Sequence, residues 1–298
     1  LPISPMATNP IGPTVHAWLH AEQHGLRPAT ITSYRNHLSS FASHVGRDLP
    51  LALLTPELVE DWLASMVYRT GARAGEQLEA STRRTRLAAV RAFTAWAVAR
   101  HLINTDPAAA VRAPKVRRRP PPRAKADDLA RVLALAEPRD RVMLVVLLQT
   151  AIRRGELAGL QVQDWDGAGR LYVADAKGWR ERWVTVPAEA QRELTHWVAL
   201  LGRPDGPMWP SSHRHGQGLA PGTISHLVAQ AGRRAGVKLW THLLRHTALS
   251  DAAAGGATSH QLQRQSGHRY SSTLDGYVNL DLGDVAPAWE GRSYRAAG

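Results

Sequence analysis

The chain is 298 residues long, with 44% hydrophobic residues and a formal net charge of +12. That length suits two compact domains and that composition fills real cores, which excludes a disordered tail or a coiled coil. It contains no cysteine, which excludes disulfides, a thiol nucleophile and zinc-thiolate sites.

The first hundred residues read as amphipathic helices. Thr14–His24 carries Val15, Trp18 and Leu19 on one stripe, and Pro28–His44 places Ile31, Tyr34, Leu38 and Phe41 at helical spacing. Thr55-Pro56-Glu57 supplies an N-cap and a proline at the first helical position, leading into Leu58–Val67. Ser81–Arg100 is a long helix with Leu87, Val90, Phe93 and Ala97 inward and Arg83, Arg84, Arg86 and Arg91 mostly outward. No strand pattern appears in this region.

Arg112–Lys125 holds Arg112, Lys115, Arg117, Arg118, Arg119, Arg123 and Lys125, no acidic residue and the run Pro120-Pro121-Pro122. Proline excludes helix and favours extended chain, so the segment reads as a linker. Its charge suits a strap along a phosphate backbone; a solvated tether kept extended by self-repulsion is the alternative. Beyond it, Asp127–Ala136 and Arg139–Thr150 read as helices. Leu171–Ala174 and Trp183–Val186 alternate like short strands around a turn containing Lys177 and Gly178. Helices follow at Glu189–Leu201, Pro221–Ala235, Thr241–Ala254 and Ser259–Gln265, with a short one around Tyr277. The expected domains are 1–111, the linker 112–125, and 126–298.

A chain this basic points to a polyanionic partner, nucleic acid first. A GC-rich genome that writes surface charge as arginine is the alternative, since only Lys115, Lys125, Lys177 and Lys238 among the 37 basic residues are lysines. The longest apolar stretch, Val142–Leu148, is too short for a bilayer, and the first residues lack the basic and apolar regions of a signal peptide. The expectation is a cytoplasmic protein with no membrane partner.

Single residues in the second half have ordinary readings. Arg153, just after a strongly apolar helix, suits a capping cation or a guanidinium held against a phosphate, with Glu156 three residues on to orient it. His242 and Arg245, at i and i+3, share a helix face and can reach one ligand. Gly267-His268 follows a short helix, and Ser272-Thr273-Leu274-Asp275 resembles a capping box opening a helix that contains Tyr277, nine residues beyond His268. Lys177 alone is an ordinary turn lysine. Trp18, Trp62, Trp96 and Trp197 sit at core spacing. His213 and His215, without cysteine or nearby carboxylates, read as loop residues, so no metal site is expected.

The ordered set Arg153, Lys177, His242-x-x-Arg245, Gly267-His268 and Tyr277 resembles the signature of the tyrosine recombinase (phage integrase) family, with a layout similar to its Xer-type members. The match spans Asp127 to Tyr277, and Thr14–Pro114 resembles that family's core-binding domain. Departures are small: Ala151 stands where a glycine is frequent and Ser266 where a leucine is frequent, while Thr247-Ala248-Leu249-Ser250 follows the pattern only loosely. The resemblance implies a mainly α fold: a helical core-binding domain plus a mostly helical catalytic domain with one small antiparallel sheet. It also implies a two-domain, C-shaped clamp on double-stranded DNA with paired half-sites, a homo- or hetero-tetramer on that DNA, nucleoid association and no cofactor.

On that resemblance Arg153 and Arg245 clamp a phosphate, and Tyr277 is the nucleophile that conserves bond energy in a 3′-phosphotyrosyl ester without ATP. His242 is the general base, His268 supports the phosphate, and Lys177 protonates the leaving 5′-oxygen, which arginine does not readily do. Arg117, Arg118, Arg119, Arg180 and Arg182, with Arg83, Arg84, Arg86 and Arg91, are expected to bind DNA. Tyr270 is the nearest rival nucleophile, and Tyr294 lies in a Gly-rich tail. That tail, with Val285 and Trp289, is expected to dock on a neighbouring protomer. A type IB topoisomerase and a DNA-binding regulator without catalysis are the alternative functions.

Overall fold

The computed structural model describes residues 9–116, 121–174, 181–212, 215–268, 274 and 277. The chain forms two compact units, Leu1–Arg118 and Arg119–Gly298.

Among the described residues the first unit has four α-helices, α1 (Ile11–Ala21), α2 (Pro28–Val45), α3 (Pro56–Ala64) and α4 (Ala80–Ala99). Helix α1 begins three residues before Thr14, because a proline at position 13 still falls in the first turn, where no amide donor is needed. Thr55 caps α3 by accepting the Leu58 amide at 3.5 Å. The helix stops at Ala64, short of the expected Val67, since Val67 bridges Gln77 and the Tyr68 amide bonds the Glu76 carbonyl at 2.9 Å. Ile11, Trp18, Leu38, Phe41, Trp62, Leu87 and Phe93 fill the core, with Phe41 edge-on to Trp62 at 5.0 Å. Val111 belongs to this core as well.

The second unit begins before its first helix. The Ala124 amide bonds the Thr247 hydroxyl at 2.9 Å and Arg123 pairs with Asp251, so the end of the expected linker is tied to the second unit. Then come α5 (Ala126–Leu135), α6 (Pro138–Thr150), α7 (Arg154–Gly159), β1 (Arg170–Val173), β2 (Arg182–Thr185), α8 (Ala188–Leu201), α9 (Pro221–Arg234), α10 (Thr241–Ala254) and α11 (Ser259–Ser266). Helix α6 buries Val142 through Leu147 without interruption. A helix apolar on all sides takes the centre, and α5, α8, α9 and α10 pack around it. The strands pair antiparallel, Arg170 opposite Thr185 and Val173 opposite Arg182. Leu171, Val173 and Val184 face the core, and the two-residue period puts Arg182 on that same side. No helix of the described residues is long and apolar enough to cross a membrane.

Candidate active site

Helix α6 ends on Ala151 in the left-handed conformation, φ 54°. That geometry suits glycine, and an alanine there costs about 1 kcal/mol. The turn leaves Arg153 extended at the head of α7, an element too short to show a periodic pattern. The buried Glu156 carboxylate accepts the Arg153 amide at 2.6 Å and its guanidinium at 2.9 Å. The sequence had assigned Glu156 to this orienting role. It holds a second cation too: Arg182 makes a two-point contact to the same carboxylate at 3.0 and 3.1 Å. Burial pushes the Glu156 pKa up, but bonds and charge from Arg182 and then Arg153 outweigh it and leave the pKa lowered.

Three guanidinium groups converge on the C-terminal end of α11. Arg182 donates to the Gln265 carbonyl at 3.1 Å, Arg245 to Ser266 at 2.8 Å and Arg153 to Gly267 at 2.9 Å. A helix end has carbonyls without helical partners and a partial negative charge, so it can hold cations that repel one another. Arg245, only 5% exposed, also donates to the Ala151 carbonyl. Burial, then the charge of Arg153, pushes its pKa down to about 10, which leaves it cationic at neutral pH. Gly267 closes α11 at φ 66°, and a Cβ there would stand 2.8 Å from the Arg182 guanidinium.

His268 follows directly. Its Nδ1 lies 2.6 Å from the Ser266 hydroxyl, which itself donates to the Leu262 carbonyl at 2.6 Å. With its one proton spent, that hydroxyl accepts, so Nδ1 carries the ring proton. Arg245 approaches Nε2 at 3.3 Å. Burial and then the charges of Arg245 and Arg153 push the His268 pKa down to about 4. Ser266, fully buried where the family often has leucine, thus sets the ring.

Leu274 is fully buried in a small cluster with Ala151, Ala248, Leu249, Ala253 and Leu262, and Tyr277 packs against it. The Tyr277 amide bonds the Leu274 carbonyl at 2.9 Å. The phenol meets His246 Nδ1, with the rings stacked at 5.7 Å. Burial raises the Tyr277 pKa, and the charge of Arg245 opposes it. Helix α10 therefore supplies Arg245, His246 and His242, the last with its ring centre 6.2 Å from that of His246. Burial, then Arg245, lowers the His242 pKa. Among the described residues no hydrogen bond joins His242 to the phenol. His246 was missed because it was read only as the neighbour of Arg245, although its i+4 spacing from His242 puts both on one face.

The site thus gathers Arg153, Glu156, His242, Arg245, His268 and Tyr277. Lys177, Arg180, Arg117, Arg118, Arg119, Tyr270, Tyr294, the expected capping box apart from Leu274, and the tail with Val285 and Trp289 lie outside the described residues. Arg182, expected to touch DNA, is instead engaged with Glu156 and Gln265, its side chain 12% exposed. Of Arg83, Arg84, Arg86 and Arg91 on α4, Arg84 alone is exposed and the other three are half-buried. Arg83 bonds the Leu78 carbonyl at 3.1 Å, and Arg91 ties α4 to Ala108 and Val111 at 3.2 and 2.6 Å. Arg86 has its Nε buried without a partner among the described residues. No group of histidine and carboxylate side chains suited to a metal ion occurs among the described residues.

Residues 123–282 match the model of the phage integrase family, and residues 19–101 that of the phage integrase N-terminal SAM-like domain. The chain is 31% identical to "Tyrosine recombinase XerC" of Mycobacterium bovis (strain BCG / Pasteur 1173P2), over 93% of this chain and 96% of that protein. It is 30% identical to the protein of the same name from Yersinia pestis, over 96% of each. Its fold is similar to that of a lambda integrase dimer bound to a COC′ core site, with a TM-score of 0.69 at 18% identity, covering 87% of this chain and 95% of the other. The chain belongs to the phage integrase family and is a site-specific tyrosine recombinase, an enzyme that cleaves and rejoins DNA strands.

Proposed function

We propose that this protein exchanges strands between two duplex DNA sites through a 3′-phosphotyrosyl intermediate on Tyr277, at half-sites bound by several copies of the chain. The observation that carries the reading is the convergence of Arg153, Arg245 and His268 on the end of α11, with the phenol of Tyr277 held from the adjacent α10. A phosphodiester under attack gathers negative charge on its non-bridging oxygens, and two fixed guanidinium groups already held by carbonyls need little reorganisation to receive it. His242 takes the proton of the attacking phenol as general base, His268 adds a hydrogen bond to the phosphate, and Lys177 gives the leaving 5′-oxygen its proton. The first unit and the basic stretch that follows it hold the duplex. The lambda integrase relative, a dimer on its core site, supports carrying DNA binding and assembly over to this chain.

The test uses duplexes with paired half-sites, recovered by the full chain from a random-sequence library and nicked so that cleavage cannot be reversed. Wild type is expected to form a covalent protein–DNA adduct, and Tyr277→Phe none. An adduct from Tyr277→Phe would reassign the nucleophile, with Tyr270 next. Relaxation of supercoiled DNA without any such site would reassign the enzyme as a topoisomerase.

A further inference from the structure

We infer that Ser266 is a positioning residue of this site: its hydroxyl keeps the one proton of the neutral His268 ring on Nδ1, so that Nε2 meets the phosphate bare and must take a proton from solvent to donate a bond there. The inference rests on the proposed reading of His268 as a group that bonds the phosphate, and adds what that bond requires. Ser266 is fully buried at the end of α11, one residue before the glycine that closes the helix. The leucine frequent at this place in the family has no hydroxyl and cannot play the part.

Two groups stand 2.6 Å from the Ser266 hydroxyl oxygen, the Leu262 carbonyl and His268 Nδ1. The carbonyl can only accept, and two oxygens that close repel unless a proton lies between them. The hydroxyl proton therefore goes to Leu262, and the other contact is satisfied only if Nδ1 donates. Arg245 does not make this choice, since its Nη2 lies 3.4 Å from Nδ1 and 3.3 Å from Nε2 and favours neither nitrogen. The backbone of His268 is held as well, its carbonyl accepting from the Gln263 side chain at 3.2 Å.

Cations and histidine face the ring from three elements: Arg245 and His246 from α10, Arg153 from the head of α7 and Arg182 from β2, with Glu156 of α7 bonded to Arg153 and Arg182. Burial, then the charges of Arg245 and Arg153, hold the free ring neutral, with its pKa about 4. A phosphate seated against Arg153 and Arg245 offsets their charge, and its own charge grows as the phenolic oxygen bonds to phosphorus. The ring then binds a proton more tightly than in the free chain and takes one from solvent at Nε2, while the bond from Nδ1 to Ser266 stays in place. The N–H so formed donates to a non-bridging oxygen. Because the bound pKa lies above the free one, this bond is fully present at low pH and is lost as pH rises through the bound value.

The first test is a two-bond proton–nitrogen correlation spectrum of the full chain without DNA at neutral pH, with the His268 signals assigned by their loss in His268→Gln. Wild type and Ser266→Thr, which keeps the hydroxyl, are expected to carry the ring proton on Nδ1. Ser266→Ala, which loses only the hydroxyl, should show it shared with Nε2 or moved there. The second test is single-turnover adduct formation on the nicked duplex described above. The ratio of the Ser266→Ala rate to the wild-type rate, in which the titration of the other groups cancels, should climb with pH. The climb should reach up to about tenfold per pH unit above the bound pKa, because only wild type must gain a proton. A ring proton on Nε2 in wild type, or a ratio that stays level with pH, would overturn the inference and leave the recombinase reading intact. Absence of adduct from wild type itself would overturn both.

Discussion

Arg245 shows how one side chain serves structure and chemistry together. Its guanidinium donates to the Ala151 and Ser266 carbonyls and reaches His268, so the cation is fixed before any phosphate arrives. Lysine, a point charge with three donors on a flexible stem, cannot reproduce that planar arrangement. Arg245→Lys is therefore expected to behave much like Arg245→Ala. Each should slow adduct formation by at least roughly a hundredfold, about 3 kcal/mol of barrier, in a single-turnover assay. Arg153, 42% exposed on its side chain, is the more open half of the clamp. Its loss should cost a similar factor in rate, with less loss of stability, since it leaves less unpaired polar surface buried.

At the scale of elements, the end of α11 and the head of α7 form one unit held by Glu156 and three arginines. Arg182 is its strut. Losing Arg182 leaves the buried Glu156 carboxylate to Arg153 alone, at a cost below the ~3–5 kcal/mol of removing the sole partner of a buried ion pair. Arg182→Ala should therefore lower the urea midpoint of the second unit and speed amide exchange along α11, while barely changing the salt dependence of DNA binding. If Arg182 were spent on a DNA phosphate, the same variant would leave stability alone and reduce the slope of log K against log salt by roughly 0.9. The two readings predict opposite pairs of results.

At the scale of the whole molecule, the net charge of +12 makes salt the natural probe. Replacing Arg117, Arg118 and Arg119 together by alanine is expected to lower the salt slope of DNA binding by roughly 2 to 3 if all three lie on phosphates. It should weaken all DNA sequences alike, as backbone contacts do. An unchanged slope would mark the segment as a tether.

Composition and periodicity by themselves determined the helical class and the one small antiparallel sheet of the described residues, because amphipathic, all-apolar and alternating runs dictate which faces can be buried. The order and spacing of Arg153, His242-x-x-Arg245, Gly267-His268 and Tyr277 likewise determined the family. Only the tertiary structure decided what each polar side chain bonds. Arg182, Arg83 and Arg91 look in sequence like free cations, and folding spends them on carbonyls and on Glu156. His246 looks like an ordinary neighbour of a named residue, and folding brings it to the phenol across 31 positions. The physical reason is range. Hydrophobic patterning repeats locally along the chain, whereas a hydrogen bond at about 3 Å depends on where two separately folded elements come to rest.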